Sequence, residues 1–225
     1  MEILKRYPHI RWWSRPNKGA YATMNEGLAA AQGEFVTLIN ADDKYASPQA
    51  IASAMKIFID GSRYDVVYGK TVTIDEKGKP YLLEGPQYGP LWCFRYYSGA
   101  IAHNSLIVRT KIIQDRNIYF NLALIYSADH EWINQLIETG MRFCRLRKPI
   151  GVFRFHAEQR TNDPMSATRI AEYESLRRKY PRNSFINYLV RQWVTLVRIK
   201  NCYTRAGLKY LLKEGRSWIK RRCCG

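Results

Sequence analysis

Residues 20–31, AYATMNEGLAAA, read as a helix, with Gly33 following where a C-terminal stop belongs. EFVTLIN (residues 34–40) is an apolar, β-branched run of strand length without an internal breaker, predicting a buried strand that ends at Asn40. A second helix is predicted up to Asp60, with Ser47 as N-cap and Pro48 at the first helical position. DVVYG is a further strand, KTVTID continues it after a bend, and EKGK makes a hairpin turn. SLIVR is a short strand, and SADHEWINQLIETG is a helix capped by Ser127 and stopped by Gly140. FCRLRK and IGVFRF finish the sheet.

Strands alternating with helices predict an α/β domain with a mainly parallel sheet flanked by helices, spanning residues 1–164. Ligands bind such sheets beyond the carboxyl ends of the strands, which singles out Asn40, Asp42 and Asp43. After Pro164 the texture changes, and residues 165–225 read as a basic helical extension. In SFINYLVRQWVTLVRIK the spacing puts Ile186, Leu189, Trp193 and Val197 on one face, with Arg191, Arg198 and Lys200 towards the other. GLKYLLKEGRSWIKRR repeats the pattern, with Leu208, Leu211, Leu212, Trp218 and Ile219 opposite four basic residues. Basic amphipathic helices with interleaved Trp and Tyr have the composition of interfacial membrane helices; packing back onto the domain is the alternative.

The 225 residues suffice for one well-buried domain with an appendage. Composition excludes disorder, collagen and a disulfide-dense miniprotein. Five cysteines without CxxC spacing suggest neither a zinc module nor a disulfide framework, and free thiols fit a reducing, cytosolic compartment. No run of 18 apolar residues is present, and the first 16 residues lack the apolar region of a signal peptide. Charge changes the picture: 36 Lys and Arg face 19 Asp and Glu, net +17. From residue 165 onward, 15 basic and 3 acidic residues supply +12 of that excess. Such a balance calls for a phosphate-rich partner. No helix-turn-helix, zinc finger or RNP-like motif occurs, so no specific nucleic acid is expected.

Asn40-Ala41-Asp42-Asp43 offers hard oxygen ligands suited to Mg²⁺ or Mn²⁺ shared with substrate phosphates; an Asx turn leading into Ser47 explains it equally well. Asp129, at a helix start, reads either as a partner of the helix dipole or as a general base. His103 and His156 are by residue type more often structural than catalytic. Lys18-Gly19 before a helix has the makings of a phosphate contact.

The run SRPNKGAYATMNEGLAAAQGEFVTLINADD resembles the family 2 glycosyltransferases of GT-A fold, with Gly19, Tyr21, Met24, Asn25, Gly27, Gly33, Leu38, Asn40, Asp42 and Asp43 matching their pattern. DVVYGK, AHNSLIVRTKII, SADHEW and FRFHAEQRTN resemble four later elements of that family, in order, as far as residue 162. The resemblance implies a Rossmann-like sheet and transfer of a sugar from a nucleotide-sugar donor, with inversion. It implies donor-binding roles for Lys18, Gly19, Asn25, Asn40, Asp42, Asp43 and His156. It puts Asp42 and Asp43 at a divalent metal, Asp129 at the base, and His103 on the acceptor side. The implied acceptor is lipid-linked or polysaccharide, at the inner face of a bacterial membrane, where an anionic surface would hold the protein peripherally. Asn17 and Ala22 stand where the family pattern has Asp. The family's two opening strands, which cradle base and ribose, have no counterpart before MEILKRYP, so the sheet is expected to be N-terminally incomplete. A non-catalytic remnant that binds a membrane or a partner is the alternative function.

Overall fold

The computed structural model describes residues 2–14, 16, 18–60, 63–84, 101–156, 166–202 and 208. In chain order these form α1 (Glu2–Lys5), α2 (Ala20–Ala30), β1 (Phe35–Thr37), β2 (Lys44–Tyr45) and α3 (Ala50–Asp60). β3 (Val66–Ile74) and β4 (Pro80–Glu84) follow as a hairpin, then a 3-10 turn (His103–Ser105), β5 (Leu106–Arg109) and α4 (Thr110–Asp115). α5 (Ala128–Glu138), β6 (Phe143–Arg154), α6 (Ala167–Lys179) and α7 (Ser184–Lys200) complete the fold.

The sheet runs β1-β5-β3-β6-β2. β5 pairs antiparallel with the first part of β3, from Val66↔Val108 to Tyr68↔Leu106, and β4 takes over the same edge from Thr71↔Glu84 onward. β6 runs parallel along the opposite edge of β3, from Val66↔Phe143 to Ile74↔Arg154. β1 and β2 attach antiparallel to β5 and β6. The α/β expectation holds, but the sheet is mixed rather than mainly parallel: β1, β3 and β6 share a direction and β5 enters against it. Alternating strands and helices predict crossovers, not that the strands they connect become neighbours.

The period of two along the strands divides the core between both faces of the sheet. Val66, Tyr68, Leu106 and Val108 meet Leu28 of α2 and Trp132, Ile133 and Leu136 of α5. Val67 and Ile107, pointing the other way, meet Ala54 and Phe58 of α3 and Ile150 of β6. Each fully buried Leu or Ile among them contributes about 1.5–3 kcal/mol.

Several boundaries differ from the sequence reading. α2 ends on Ala31 in extended conformation, before Gly33 is reached. β1 is half-buried rather than buried, because β5 is the only strand it pairs with among the described residues. α3 starts at Ala50, after a turn in which the Ala50 amide donates to the Ser47 carbonyl at 3.1 Å. Gly140 stops α5 as expected, with φ 71, a conformation unfavourable for side chains with a Cβ. Ser127 occupies the N-cap of α5, but its hydroxyl makes no capping bond.

The expected division at 164/165 falls in the stretch 157–165, outside the described residues. α6, beyond it, is tied to α5 and to the residues leading into α5. Glu172, 7% exposed, accepts from the amides of Ile125, Tyr126 and Ser127 and from the Ser127 hydroxyl. Glu131, 1% exposed, accepts from Lys179 Nζ at 2.6 Å and the Tyr180 hydroxyl at 3.0 Å, with Gln135 also bonded to it. Burial, followed by the Glu131 charge, raises the Tyr180 pKa.

α7 is capped by the Asn183 side chain, which accepts from the Ile186 amide at 3.1 Å. Its buried seam is Val190 and Val194, flanked by Ile186 and Val197. Leu189 and Trp193, expected on that face, are 49% and 55% exposed, with Phe185, Leu196 and Ile199 also outward. The chain after α7 meets the sheet where Cys202 bridges to Leu82. Most of the second amphipathic segment, residues 209–222, lies outside the described residues, as do Cys223 and Cys224. Among the described residues no helix is long and apolar enough to cross a membrane.

Candidate active site

The chain leaves β1 through Leu38 and Ile39 and turns at once, the Asp43 amide donating to the Asn40 carbonyl at 3.1 Å. β2 then pins the far side of the turn to β6, through Lys44↔Val152 and Tyr45↔Gly151. The turn is closed by the backbone rather than by an Asx side chain, and it carries both carboxylates. Asp43 accepts from the Arg154 amide on Oδ1 at 3.2 Å, and from Asn104 Nδ2 at 3.1 Å and Asn40 Nδ2 at 3.2 Å on Oδ2. Burial raises its pKa against the lowering effect of the Arg154 amide, and the Asp42 charge adds to the rise.

Asn40 Nδ2 also meets His103 Nε2 at 3.2 Å; the amide donates, so the ring nitrogen accepts. Asp42 Oδ2 lies 3.2 Å from His156 Nε2, both side chains partly exposed. Arg154 spans the group: its Nε donates to the Asp42 carbonyl and its Nη1 to the carbonyls of Asp75 and Glu76. Asn40, Asp42, Asp43, His103 and His156 therefore form one hydrogen-bonded cluster.

The 3-10 turn carrying His103 and Asn104 is held by Ser105. Its hydroxyl sits 2.7 Å from Thr71 Oγ1, donates to the Lys70 carbonyl and accepts from the Gly151 amide at 3.0 Å. Gly151 permits that approach: a Cβ there would lie 2.6 Å from both the Asn104 carbonyl oxygen and Ser105 Oγ. No side chain fits without displacing the turn.

The other expected residues sit on, or just before, α2 and α5. Asp129 is the second residue of α5, half-buried, with Oδ1 accepting from the His130 amide at 2.8 Å. Tyr21 of α2 lies against it. Burial first, then the Asp129 charge, push the Tyr21 pKa well up, while a hydrogen bond with the Asp129 backbone opposes the shift. Asn25 engages the Phe120 backbone: Nδ2 donates to the Phe120 carbonyl and Oδ1 accepts from the Phe120 amide, both at 2.8 Å. Lys18 is exposed beside Gly19, which caps α2 at φ 108; Asn17 lies outside the described residues.

Residues 1–116 match glycosyl transferase family 2. The chain belongs to that family. A relative, the uncharacterized glycosyltransferase MJ1057 of Methanocaldococcus jannaschii, is 23% identical over 150 residues, 63% of this chain and 51% of that protein. Among solved structures, S. aureus TarS 1–349 in complex with UDP-GlcNAc superposes with a TM-score of 0.57 at 19% identity, covering 91% of this chain and 55% of that one. The longer S. aureus TarS structure gives 0.55 at 18%, covering 97% and 39%. These likenesses show the expected GT-A fold, over about half the length of the proteins matched or less.

Within this family 2 chain, motif resemblance assigns no role to Arg154, Asn104, Tyr21 or Glu172. Arg154 lies in FRFHAEQRTN with His156 and Asn104 in AHNSLIVRTKII with His103, whereas nothing in the sequence marks Glu172. The donor chemistry of the cluster fits a divalent cation that finds few ligands in the protein and completes its shell with phosphate and water. Asp42 and His156 are partly exposed, whereas Asp43 already accepts three hydrogen bonds. Among the described residues no group of three or more His, Cys, Asp or Glu side chains occurs in ligating positions.

Proposed function

We propose that the protein transfers a sugar from a nucleotide-sugar donor to a hydroxyl of a lipid-linked or polysaccharide acceptor, with inversion. The supporting observation is the cluster of Asn40, Asp42, Asp43, His103 and His156 beyond β1, in a GT-A fold of family 2. In this reading Asp129 accepts the proton of the acceptor hydroxyl as that oxygen attacks the anomeric carbon. The bond to the diphosphate breaks on the opposite side, its electron pair leaving with the nucleotide. Asp42 and Asp43, with His156 beside them, would hold Mg²⁺ or Mn²⁺, which neutralises charge on the departing diphosphate. Lys18 and Gly19 add a contact at the α2 N-terminus, where the helix dipole favours anions. His103 faces the acceptor side.

We assign the outer face of α7 to an anionic membrane surface. Phe185, Leu189, Trp193 and Leu196 are exposed along it, with Tyr188 at its margin. Residues 183–222 carry ten Lys and Arg against Glu214 alone. Such a surface would place the protein peripherally on the cytoplasmic face, beside a lipid-linked acceptor.

The test is release of nucleoside diphosphate from a panel of nucleotide sugars including UDP-GlcNAc, on the full-length protein. Asp129→Asn should lower kcat on the order of 10²–10⁴-fold while leaving nucleotide binding in place, and Asp42→Asn should weaken both. Near-normal turnover of Asp129→Asn removes the base assignment.

A further inference from the structure

We propose that Glu172 is a positioning residue for the transfer, setting the place of the catalytic base from a position in α6 that is 43 residues later in the chain than Asp129. The inference rests on the reading of Asp129 as that base. Three consecutive amides converge on one carboxylate: Ile125 N at 2.6 Å, Tyr126 N at 2.9 Å and Ser127 N at 3.0 Å, with Ser127 Oγ at 2.9 Å. These residues lead directly into α5, whose second residue is Asp129.

A helix start leaves amides without intrahelical partners, and the N-cap side chain ordinarily satisfies one of them. Here Ser127 has the N-cap place but points its hydroxyl at Glu172 instead. The path of the backbone into α5 is therefore set by a carboxylate from α6. The next residue of α6, Tyr173, packs its ring on His130 at 5.4 Å between centroids, directly after Asp129. α6 thus holds the chain on both sides of the base. Tyr21 meets Asp129 from α2, and the Glu172 and Tyr173 charges contribute to its raised pKa, so the four side chains share one neighbourhood.

A purely structural role would make Glu172 one more tether between α5 and α6, equivalent to the Lys179–Glu131 pair at the other end of α6. The two roles separate kinetically. A displacement of about 1 Å at a reacting group costs on the order of 10²-fold in rate without needing to change donor binding.

The experiment compares Glu172→Gln with Lys179→Met in the full-length protein, using the donor that the wild type turns over, with thermal melts beside the kinetics. Gln keeps the length of Glu but turns an NH₂ group towards amides that need an acceptor. Glu172→Gln is expected to lose roughly 10–100-fold in kcat at unchanged donor KM. Lys179→Met should lose comparable melting temperature and keep kcat within about threefold. Equal kcat losses in the two variants, or a Glu172→Gln kcat within about threefold of wild type, overturn the proposal. If Glu172→Gln does not fold, Ser127→Ala withdraws one of the four bonds and must lower kcat in the same direction; wild-type kcat there also overturns it. Asp129→Asn, run in parallel, separates the two ideas: its retention of activity sinks the base reading, whereas an inactive Asp129→Asn beside a normal Glu172→Gln sinks only the positioning role.

Discussion

Asn25 tests whether a residue that matches a family motif acts on the donor or on the fold. Its amide closes a two-bond ring with the Phe120 backbone, 95 residues away, at 2.8 Å in both directions. Phe120 is 3% exposed and stacks between Tyr21 at 5.3 Å and Trp132 at 4.9 Å. Asn25→Ala leaves one buried amide and one buried carbonyl without partners, each costing about 1–3 kcal/mol. Asn25 is itself half-buried and admits some water, so a total of roughly 2–4 kcal/mol is expected, a melting-temperature loss of roughly 4–16 °C in a chain this size. Asn25→Asp adds a pH signature. The carboxylate still accepts from the Phe120 amide but sets a negative charge against the Phe120 carbonyl, whereas the protonated acid donates to it. The folded state therefore prefers the acid, and the folded pKa lies above the unfolded value of about 3.9. Stability of Asn25→Asp is full below that value and lost as pH rises through the folded pKa. Urea denaturation of wild type and both variants between pH 4 and pH 7 measures this: the Asn25→Asp deficit should grow with pH and the Asn25→Ala deficit should not. An Asn25→Ala deficit below about 0.5 kcal/mol, with donor binding abolished, would refute the architectural role and return Asn25 to the donor site.

Burial raises the Asp43 pKa in a setting that also holds Asp42, His103 and Arg154, so the unliganded wild type should lose stability relative to Asp43→Asn as pH rises above the ordinary carboxylate range. Parallel denaturation curves for the two proteins across that range would count against the burial argument. For the α7 surface, Trp193→Glu and Leu189→Glu together should abolish flotation with anionic liposomes, and high salt should weaken wild-type binding, since each basic residue near the surface adds on the order of 1 kcal/mol. Unchanged flotation would place the contact elsewhere.

Much of the fold was legible because its signals were local. The alternation in DVVYG and SLIVR divides residues between the two faces as the pleat requires, and Gly140 ends α5 in the backbone conformation that favours glycine. The two-residue strand Lys44–Tyr45 was not legible, since pairing with β6 across more than a hundred positions leaves no mark so short. α7 failed differently. It is apolar around most of its circumference, so spacing alone could not decide that Val190 and Val194 turn inward while Leu189 and Trp193 turn out. At the candidate site, motif resemblance singled out the carboxylates and histidines that the structure brings together. It did not assign Asn25 to Phe120, and it missed Glu172, whose partners are backbone amides that any residue could supply.

The closing of the cluster by β6 has a consequence for the order in which the molecule assembles. Asp43 waits for Arg154 across 111 positions and Asp42 for His156 across 114, while Asn104 and His103 join from about 60 positions away. Contacts of such long range form late, because loop closure must be paid for before they reward it. During synthesis the carboxylate turn therefore emerges well before the strand that completes it. A ligand that needs the completed cluster selects the fully assembled chain and stabilises it by mass action. Donor binding would then report the docking of β6 more directly than helix content, most of which is encoded locally.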